Sequence, residues 1–118
     1  MNIEIKGNPA FAYAVIDLEP NEYLVTESGA MATMSSAIDF VAKLNGGFIK
    51  GLTRKFFGGE SLFINHFINK TSNQQRMTLT QPTPGSLVCY ELNGETINLQ
   101  PTAFVACEPG VNISTKFA

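Results

Sequence analysis

A single histidine and a serine five positions before it are the residues of this chain that could perform hydrolytic or metal chemistry. His66 is the only histidine among 118 residues. Ser61 lies in Gly-Glu-Ser-Leu and not in the Gly-x-Ser-x-Gly turn that exposes a hydrolase nucleophile. The sequence has no second histidine and no Cys-x-x-Cys pair to share a metal with His66. We therefore expect a structural or partly exposed histidine, no metal site and no catalytic residue.

A second candidate is a basic segment bracketed by glycine pairs, residues 46–63, with the sequence GGFIKGLTRKFFGGESLF. Its cations Lys50, Arg54 and Lys55 could bind single-stranded RNA by charge and stacking, or anionic lipid head groups at a membrane surface. The alternative is that the cations form a solvated face while the phenylalanines pack in the core. A phosphate-binding P-loop is not indicated, because Glu60 follows the second glycine pair where Lys and Ser or Thr would be needed.

Two glutamates and two cysteines complete the set of chemically interesting residues. Glu27 lies two residues before Gly29 and Glu60 directly follows Gly59, and we expect both to accept backbone N–H hydrogen bonds in structural roles. Cys89 and Cys107 lie in apolar, strand-like runs and are expected to be buried free thiols, since two cysteines do not make a disulfide scaffold. None of these residues identifies a cofactor or a small-molecule substrate.

The composition fits one domain over residues 1–118, long enough to bury a core of its own. Apolar residues make up 44% of the chain and charged residues 15%, against about 25% charged in typical domains. So little charge suggests that another subunit covers part of the surface. A net charge of −2 provides no overall basic field for nucleic acid. The N-terminus lacks the pattern of a signal peptide, and we expect a cytoplasmic location.

The remaining pattern predicts the elements that would position these residues. Short β-rich runs separated by turn residues predict an all-β sandwich or barrel-like fold. Residues 37–44 fit a helix or a strand equally well. Residues 48–57 have apolar side chains at roughly helical spacing and predict one short helix, ended by Gly58-Gly59. Strands are expected over residues 11–18, 23–26, 30–34, 61–68, 76–80, 86–92, 96–99, 103–107 and 111–117.

Two turns are predicted from their residue types. Asn21 follows Pro20 and is expected to adopt a positive φ in a turn. Asn93-Gly94 is the strongest short hairpin signal available, and it should join the strands over residues 86–92 and 96–99.

Several motifs from about residue 9 to residue 111 are similar, in combination, to one family. They are Glu27-Ser28-Gly29-Ala30-Met31, Gly46-Gly47, Arg54, Gly58-Gly59-Glu60-Ser61-Leu62-Phe63, Phe67, Phe104-Val105-Ala106 and Pro109-Gly110-Val111. Together they resemble the family of altered inheritance of mitochondria protein twenty-four. The Gly-Gly-Glu-Ser-Leu-Phe element is the most specific of them. Two departures are Asn21, where the family usually has glycine, and the length, since family members tend to be about twice as long.

The resemblance implies mainly a fold. It implies a β-sandwich of the double-stranded β-helix type, similar to the tryptophan RNA-binding attenuation protein. Eukaryotic members of the family are associated with mitochondrial inner-membrane organisation, and no established catalytic residue can be carried over. The motif residues Gly29, Ala30, Met31, Gly46, Gly47, Gly58, Gly59, Glu60 and Ser61 are then structural.

The leading functional hypothesis is a non-enzymatic, self-assembling scaffold or structural module that forms a homo-oligomer. Its physical motive is the low charge together with the exposed strand edges of a small β domain, which subunit pairing can cover. The alternative is a ligand-binding module for RNA or anionic lipid through Lys50, Arg54 and Lys55. Charge reversal at those three residues would abolish binding only in the second case.

Overall fold

The computed structural model describes residues 1–40, 43–44, 47–48, 52–57 and 60–113. These residues form eleven strands and one single-turn 3₁₀ helix, which confirms the predicted all-β class. Within the same residues, no helix has the length and apolar character needed to cross a membrane. The strands are β1 (Asn2–Lys6), β2 (Tyr13–Leu18), β3 (Tyr23–Glu27), β4 (Met31–Met34), β5 (Asp39–Phe40), β6 (Lys43–Leu44), β7 (Gly47–Phe48), β8 (Leu52–Phe57), β9 (Glu60–Ile68), β10 (Gln75–Thr80) and β11 (Ala106–Cys107), and the 3₁₀ helix is Pro101–Ala103.

Four antiparallel strands form the first sheet, in the order β1-β2-β10-β4. Alternate residues of a strand point to opposite faces, so Ala14, Ile16 and Leu18 of β2 share one face, which is buried. A register shift between Thr78 and Leu79 of β10 interrupts its pairing with β4. The sequence pattern did not predict β1.

The second sheet has the order β11-β3-β9-β5, and β8 also pairs with β9. The nine-residue β9 lies between partners on both edges, because Phe67 is opposite Leu24 of β3 and also opposite Phe40 of β5. β8 then continues along the edge that β5 begins, as far as the pair of Phe57 with Glu60. The central position expected for residues 61–68 is therefore confirmed.

The two sheets face each other across one hydrophobic core in a sandwich-like arrangement. Burying an apolar side chain of this size stabilises the fold by roughly 1.5–3 kcal/mol, so the inner faces hold the sheets together. The side chains with at most 2% of their surface exposed include Ile16, Leu18, Met77 and Leu79 from the first sheet and Leu24 and Phe67 from the second.

The predicted turn after Pro20 is confirmed, since Asn21 has a φ of 66°. Asparagine adopts this left-handed conformation more readily than most residues, which explains why it can stand here without a glycine. The turn is held by backbone hydrogen bonds to the loop after β9: Asn21 N donates to Asn69 O at 2.6 Å, and Asn69 N donates to Glu22 O at 3.0 Å.

The predicted short helix near residues 48–57 is wrong. Leu52–Phe57 is strand β8, paired in antiparallel register with β9, and Gly47–Phe48 is strand β7, paired with Lys43–Leu44. The ambiguous stretch over residues 37–44 likewise contains strand and no helix in its described part.

The helix prediction failed because residues 52–57 lie beside β9 and pair with it. A helix this short has little stability of its own and depends on tertiary packing. A strand beside β9 instead satisfies its backbone in a ladder, and Thr53, Phe56 and Phe57 are residue types that favour strands. The apolar residues of this segment have helical spacing, but pairing with β9, which follows in the sequence, makes the segment a strand. The predicted terminating pair Gly58-Gly59 lies outside the described residues.

The C-terminal third contains less strand than the sequence predicted. Residues 86–92 and 96–99, all of them described, form no strand pair, so the hairpin predicted about Asn93-Gly94 is not formed, although Gly94 does have a φ of +90°. The strand expected over residues 103–107 is reduced to Ala106–Cys107. No strand occurs at residues 111–113, and the rest of that predicted strand, residues 114–117, lies outside the described part.

Candidate functional site

The basic patch expected from the sequence does not have the helical face that would have brought its cations together. Arg54 and Lys55 are consecutive residues of β8, opposite Phe63 and Leu62 of β9. Lys50 lies outside the described residues.

The glycine-containing element that follows β3 is a structural turn between the two sheets. The carboxylate of Glu27 accepts hydrogen bonds from Gly29 N at 2.9 Å and from Ser28 Oγ at 3.1 Å, and Ala30 N donates to Glu27 O at 3.1 Å. Ala30, only 1% exposed, lies just before Met31, which begins β4. The structural role expected for Glu27 is confirmed.

The turn is also fixed to both sheets. Ser28 N donates to Phe63 O at 2.8 Å, and Asn65 Nδ2 donates to Ser28 O at 3.2 Å. On the other side, Thr80 N donates to Ala30 O at 2.7 Å. The element therefore ties β9 of one sheet to β10 of the other.

The other motif residues divide between strand ends and the part of the chain that is not described. Gly47 begins β7, Glu60 begins β9 opposite Phe57, and Ser61 follows it opposite Phe56. Gly46, Gly58 and Gly59 lie outside the described residues.

A polar pair lies on the face of the second sheet that points away from the core. Val25 of β3 is opposite His66 of β9, so Tyr23, two residues earlier on the same face, reaches His66 diagonally. The Tyr23 hydroxyl and His66 Nδ1 are hydrogen-bonded, and the two ring centroids are 5.5 Å apart. Burial raises the pKa of the Tyr23 hydroxyl above its ordinary value. Of the two expectations for His66, partial exposure is wrong, because the residue is buried.

Cys107 lies on the same face, in β11, opposite Val25 of β3. Burial, with a smaller contribution from Glu108, raises the pKa of the Cys107 thiol to about 11. The thiolate is the nucleophilic form, so this cysteine is unreactive at neutral pH. Cys107 is partly buried, whereas Cys89 is exposed, and the expectation that Cys89 is buried is therefore wrong.

These residues line a small, open pocket of about 240 Å³. Tyr23, His66 and Cys107 contribute to it from the second sheet, and residues 109 and 111–113 line it from the segment after β11. Pockets for drug-sized ligands are usually about 300–1,000 Å³, so this space is small for such a ligand. Within the described part of the chain, His, Cys, Asp and Glu side chains form no group of three that could hold a metal ion.

The most exposed apolar surface follows β10. Val88 is 83% exposed, Tyr90 60% and Leu99 55%, and within the described chain no strand pairs with residues 88–99. Side chains of this kind occur singly on most surfaces, but several within one short segment indicate an interaction site. In the sequence, the alternation of apolar and polar residues predicted strands here, but it did not predict that the apolar side chains are exposed.

The base of this segment is fixed to the fold. Asn8 Nδ2 donates to Leu87 O at 3.1 Å, and Leu87 N donates to Asn8 Oδ1 at 3.0 Å, which mimics a pair of ladder hydrogen bonds. The Leu87 side chain belongs to the hydrophobic core. Phe11, itself 74% exposed, lies beside the start of the segment because it bridges Gly85. The exposed residues are thus presented from a fixed position.

Two comparisons with known proteins place the chain in a family. It is 26% identical over 114 residues to an uncharacterized protein of Streptococcus pyogenes serotype M6, an alignment that covers 92% of this chain and 45% of the streptococcal protein. The chain thus spans less than half the length of this curated relative. The model of the family described as mitochondrial biogenesis AIM24 matches residues 3–118. The chain therefore belongs to the mitochondrial biogenesis AIM24 family.

Proposed function

We propose that this domain is a non-enzymatic, self-assembling scaffold module, in which copies of the chain pack on one another through exposed apolar surface. The observation that carries the proposal is the exposure of Phe11, Val88, Tyr90 and Leu99, each with more than half of its surface in contact with water. Burying one such side chain contributes roughly 1.5–3 kcal/mol, so covering several of them in an assembly is favourable.

The strand edges support the same proposal. In the described part of the fold, β1 and β4 end the first sheet, and β11 and β5 end the second. Edge strands offer backbone groups to other chains unless they are short, charged or covered. β5 and β11 are short, with two residues each, and β1 carries Glu4 and Lys6. Pairing is thus limited at β1, β5 and β11. In the described part of the fold the uncharged β4 and the six-residue β8, which continues the edge begun by β5, remain edges at which another chain could pair, beside the apolar segment after β10.

The alternative, binding of RNA or anionic lipid through Lys50, Arg54 and Lys55, has less support. Arg54 and Lys55 are residues of β8, but Lys50 lies outside the described residues, so nothing in the described fold brings the three cations together. The exposed apolar residues after β10 instead favour association with a protein surface over attraction to an anion.

Sedimentation velocity over a concentration series tests the proposal. The chain has a mass of 12.8 kDa. We expect a weight-average mass above this value that rises between about 1 and 500 µM, because exposed patches of this size usually associate weakly. A sedimenting species of 12.8 kDa at every concentration would refute self-assembly. The same measurement in high salt separates apolar association, which persists, from association through ion pairs, which weakens.

Membership of the family also suggests a finer description of the fold and of the cellular role. The motif resemblance supports a double-stranded β-helix, as in the tryptophan RNA-binding attenuation protein, and the sandwich of two antiparallel sheets is compatible with it. We include in the proposal a contribution to membrane-associated organisation like that associated with the eukaryotic members. A crystal structure whose strand connections differ from a double-stranded β-helix would remove the finer fold description.

A further inference from the structure

Residues 88–99 would be amphipathic if they folded back on themselves about Asn93-Gly94. A two-residue turn at this point places Leu92 opposite Glu95, and the pairing then continues with matched positions on both strands. Since successive residues of a strand alternate between faces, one face would be apolar and the other mostly polar. The apolar face would hold Val88, Tyr90, Leu92, Ile97 and Leu99, with Glu95 beside the turn at its end, and the other face would hold Cys89, Glu91, Thr96 and Asn98.

In the single chain this hairpin is not formed. Gly94 already has the positive φ of +90° that a turn of this kind requires, but the flanking residues make no strand pair. A two-stranded hairpin is marginally stable in water unless something covers its apolar face. The single chain leaves that face uncovered, because Val88, Tyr90, Ile97 and Leu99 are all exposed.

We infer that residues 88–99 form a β-hairpin arm when the apolar faces of two such arms, one from each of two copies of this chain, pack together about a two-fold axis. This inference rests on the proposed self-assembly and names the surface and the geometry that produce it. A two-fold contact needs a patch that is complementary to itself, and a continuous apolar face in which Tyr90 pairs with Ile97 and Val88 with Leu99 meets that condition.

The charges of the arm agree with this arrangement. Glu91 would lie on the outer face of the hairpin. Glu95, opposite Leu92, would lie on the apolar face but next to the turn at the tip, so neither carboxylate enters the centre of the contact. The Glu95 carboxylate already accepts a hydrogen bond from Asn93 N at 3.1 Å, which holds it near the tip. Charged residues are depleted from the centres of protein interfaces, as they are here.

The position and size of the arm set the strength of the contact. Leu87 is anchored in the core and bonded to Asn8, so both arms leave their domains from a fixed point. Each arm contributes about 12 residues, against roughly 20–30 per side in an interface of standard size. We therefore expect a reversible dimer with a dissociation constant in the micromolar range or weaker.

A disulfide tests whether the hairpin forms. In the proposed register Asn98 lies directly opposite Cys89, at a Cβ separation of about 4.5–5.5 Å in this class of pair. Asn98→Cys should therefore form an intrachain bond with Cys89 under mild oxidation, detected by peptide mass spectrometry, with a yield that rises with protein concentration. The control Ile97→Cys places the thiol on the opposite face and should form at most about a tenth of this bond. Equal yields from the two variants would overturn the inference.

Sedimentation velocity then tests whether the arms make the contact. Tyr90→Ser/Leu99→Ser removes two side chains from the apolar face, and Glu91→Ser/Thr96→Ser changes two residues on the other face. The first variant should raise the dissociation constant at least about tenfold, and the control should leave it within about twofold of the unmodified chain. All four residues are exposed, so circular dichroism should show an unchanged fold.

The outcomes separate the inference from the proposed function. If the unmodified chain assembles and Tyr90→Ser/Leu99→Ser assembles equally well, the arm is not the contact surface, while self-assembly itself stands. If the unmodified chain remains at 12.8 kDa throughout, both fail. Loss of assembly in the apolar-face variant alone, together with the disulfide that Cys89 forms in Asn98→Cys, supports both.

Discussion

Replacement of Asn69 by alanine should be one of the most destabilising changes of a polar residue in the described part of the chain. Asn69 follows β9 and has no exposed surface. Its Nδ2 donates to Leu18 O at 2.9 Å and to Asn73 O at 2.7 Å. Its Oδ1 accepts from Thr71 N at 3.0 Å and from Thr71 Oγ1 at 2.6 Å. A single amide thus joins the end of β2 to the loop that leads into β10.

The stability lost in Asn69→Ala depends on which hydrogen-bond partners of Asn69 water can reach after the substitution. Leu18 has no exposed surface, so its carbonyl would lose a donor with no water to replace it, at a cost of about 1–3 kcal/mol. The hydrogen bonds to Thr71 and Asn73 lie in a more exposed loop and contribute about 0.5–1 kcal/mol each. Together Asn69→Ala should lower the free energy of unfolding by about 3 kcal/mol, a large share of the roughly 5–15 kcal/mol typical of a domain.

Urea unfolding followed by circular dichroism measures this loss, and thermal unfolding should show a fall in Tm of about 10 °C. Asn73→Ala is the matched control, because it is the same substitution four residues later on an exposed side chain. It should change the free energy of unfolding by less than about 0.5 kcal/mol. Asn69→Asp separates the two halves of the interaction, since it keeps acceptors for Thr71 but places a carboxylate against the carbonyl of Leu18.

The reasoning would be refuted if Asn69→Ala and Asn73→Ala had the same unfolding midpoint. It would also be refuted if Asn69→Asp matched the unmodified protein at neutral pH. A buried carboxylate that faces carbonyl oxygens cannot retain the stability that the amide provides.

Two further predictions concern titration and thiol reactivity. The Arg76 guanidinium, 2.8 Å from the Asp17 carboxylate, holds the pKa of Asp17 below its usual 3.8. A lowered pKa in the folded state stabilises the fold above the unfolded pKa, and this stability is lost as the pH falls through the folded value. The urea midpoint should therefore fall below about pH 4, and fall less steeply in Asp17→Asn, whereas equal slopes would exclude this contribution. Iodoacetamide at pH 8 should modify the exposed Cys89 at least about tenfold faster than Cys107, whose pKa burial raises to about 11, and peptide mass spectrometry that found equal rates would contradict this.

The fold could be predicted from the sequence wherever local pattern and tertiary environment agree. Residues 61–68 are apolar on both sides, which is typical of a central strand, and β9 occupies this position. Asn21 was expected to have a positive φ and has one. The helix over residues 48–57 was wrong because its partner, β9, could not be seen in a local window.

The candidate site could be predicted only in part. Glu27 is recognisable as a turn carboxylate because its neighbour Gly29 signals the turn locally. The exposure of Val88 and Tyr90 could not be foreseen, since alternation of apolar residues looks the same in a covered strand and in an uncovered segment. In the sequence Asn69 looks like the start of a polar loop and no more, because its partner Leu18 is 51 residues away.

The sequence by itself determined the all-β fold class, the turns at Asn21 and Glu27, and the family of this protein. These features depend on residue types within a few positions of each other, which carry their own conformational preferences. The tertiary structure decided that β8 is a strand, that Asn69 joins two loops, and that residues 88–99 remain uncovered. Those outcomes depend on which distant segments come into contact, and no local preference encodes that.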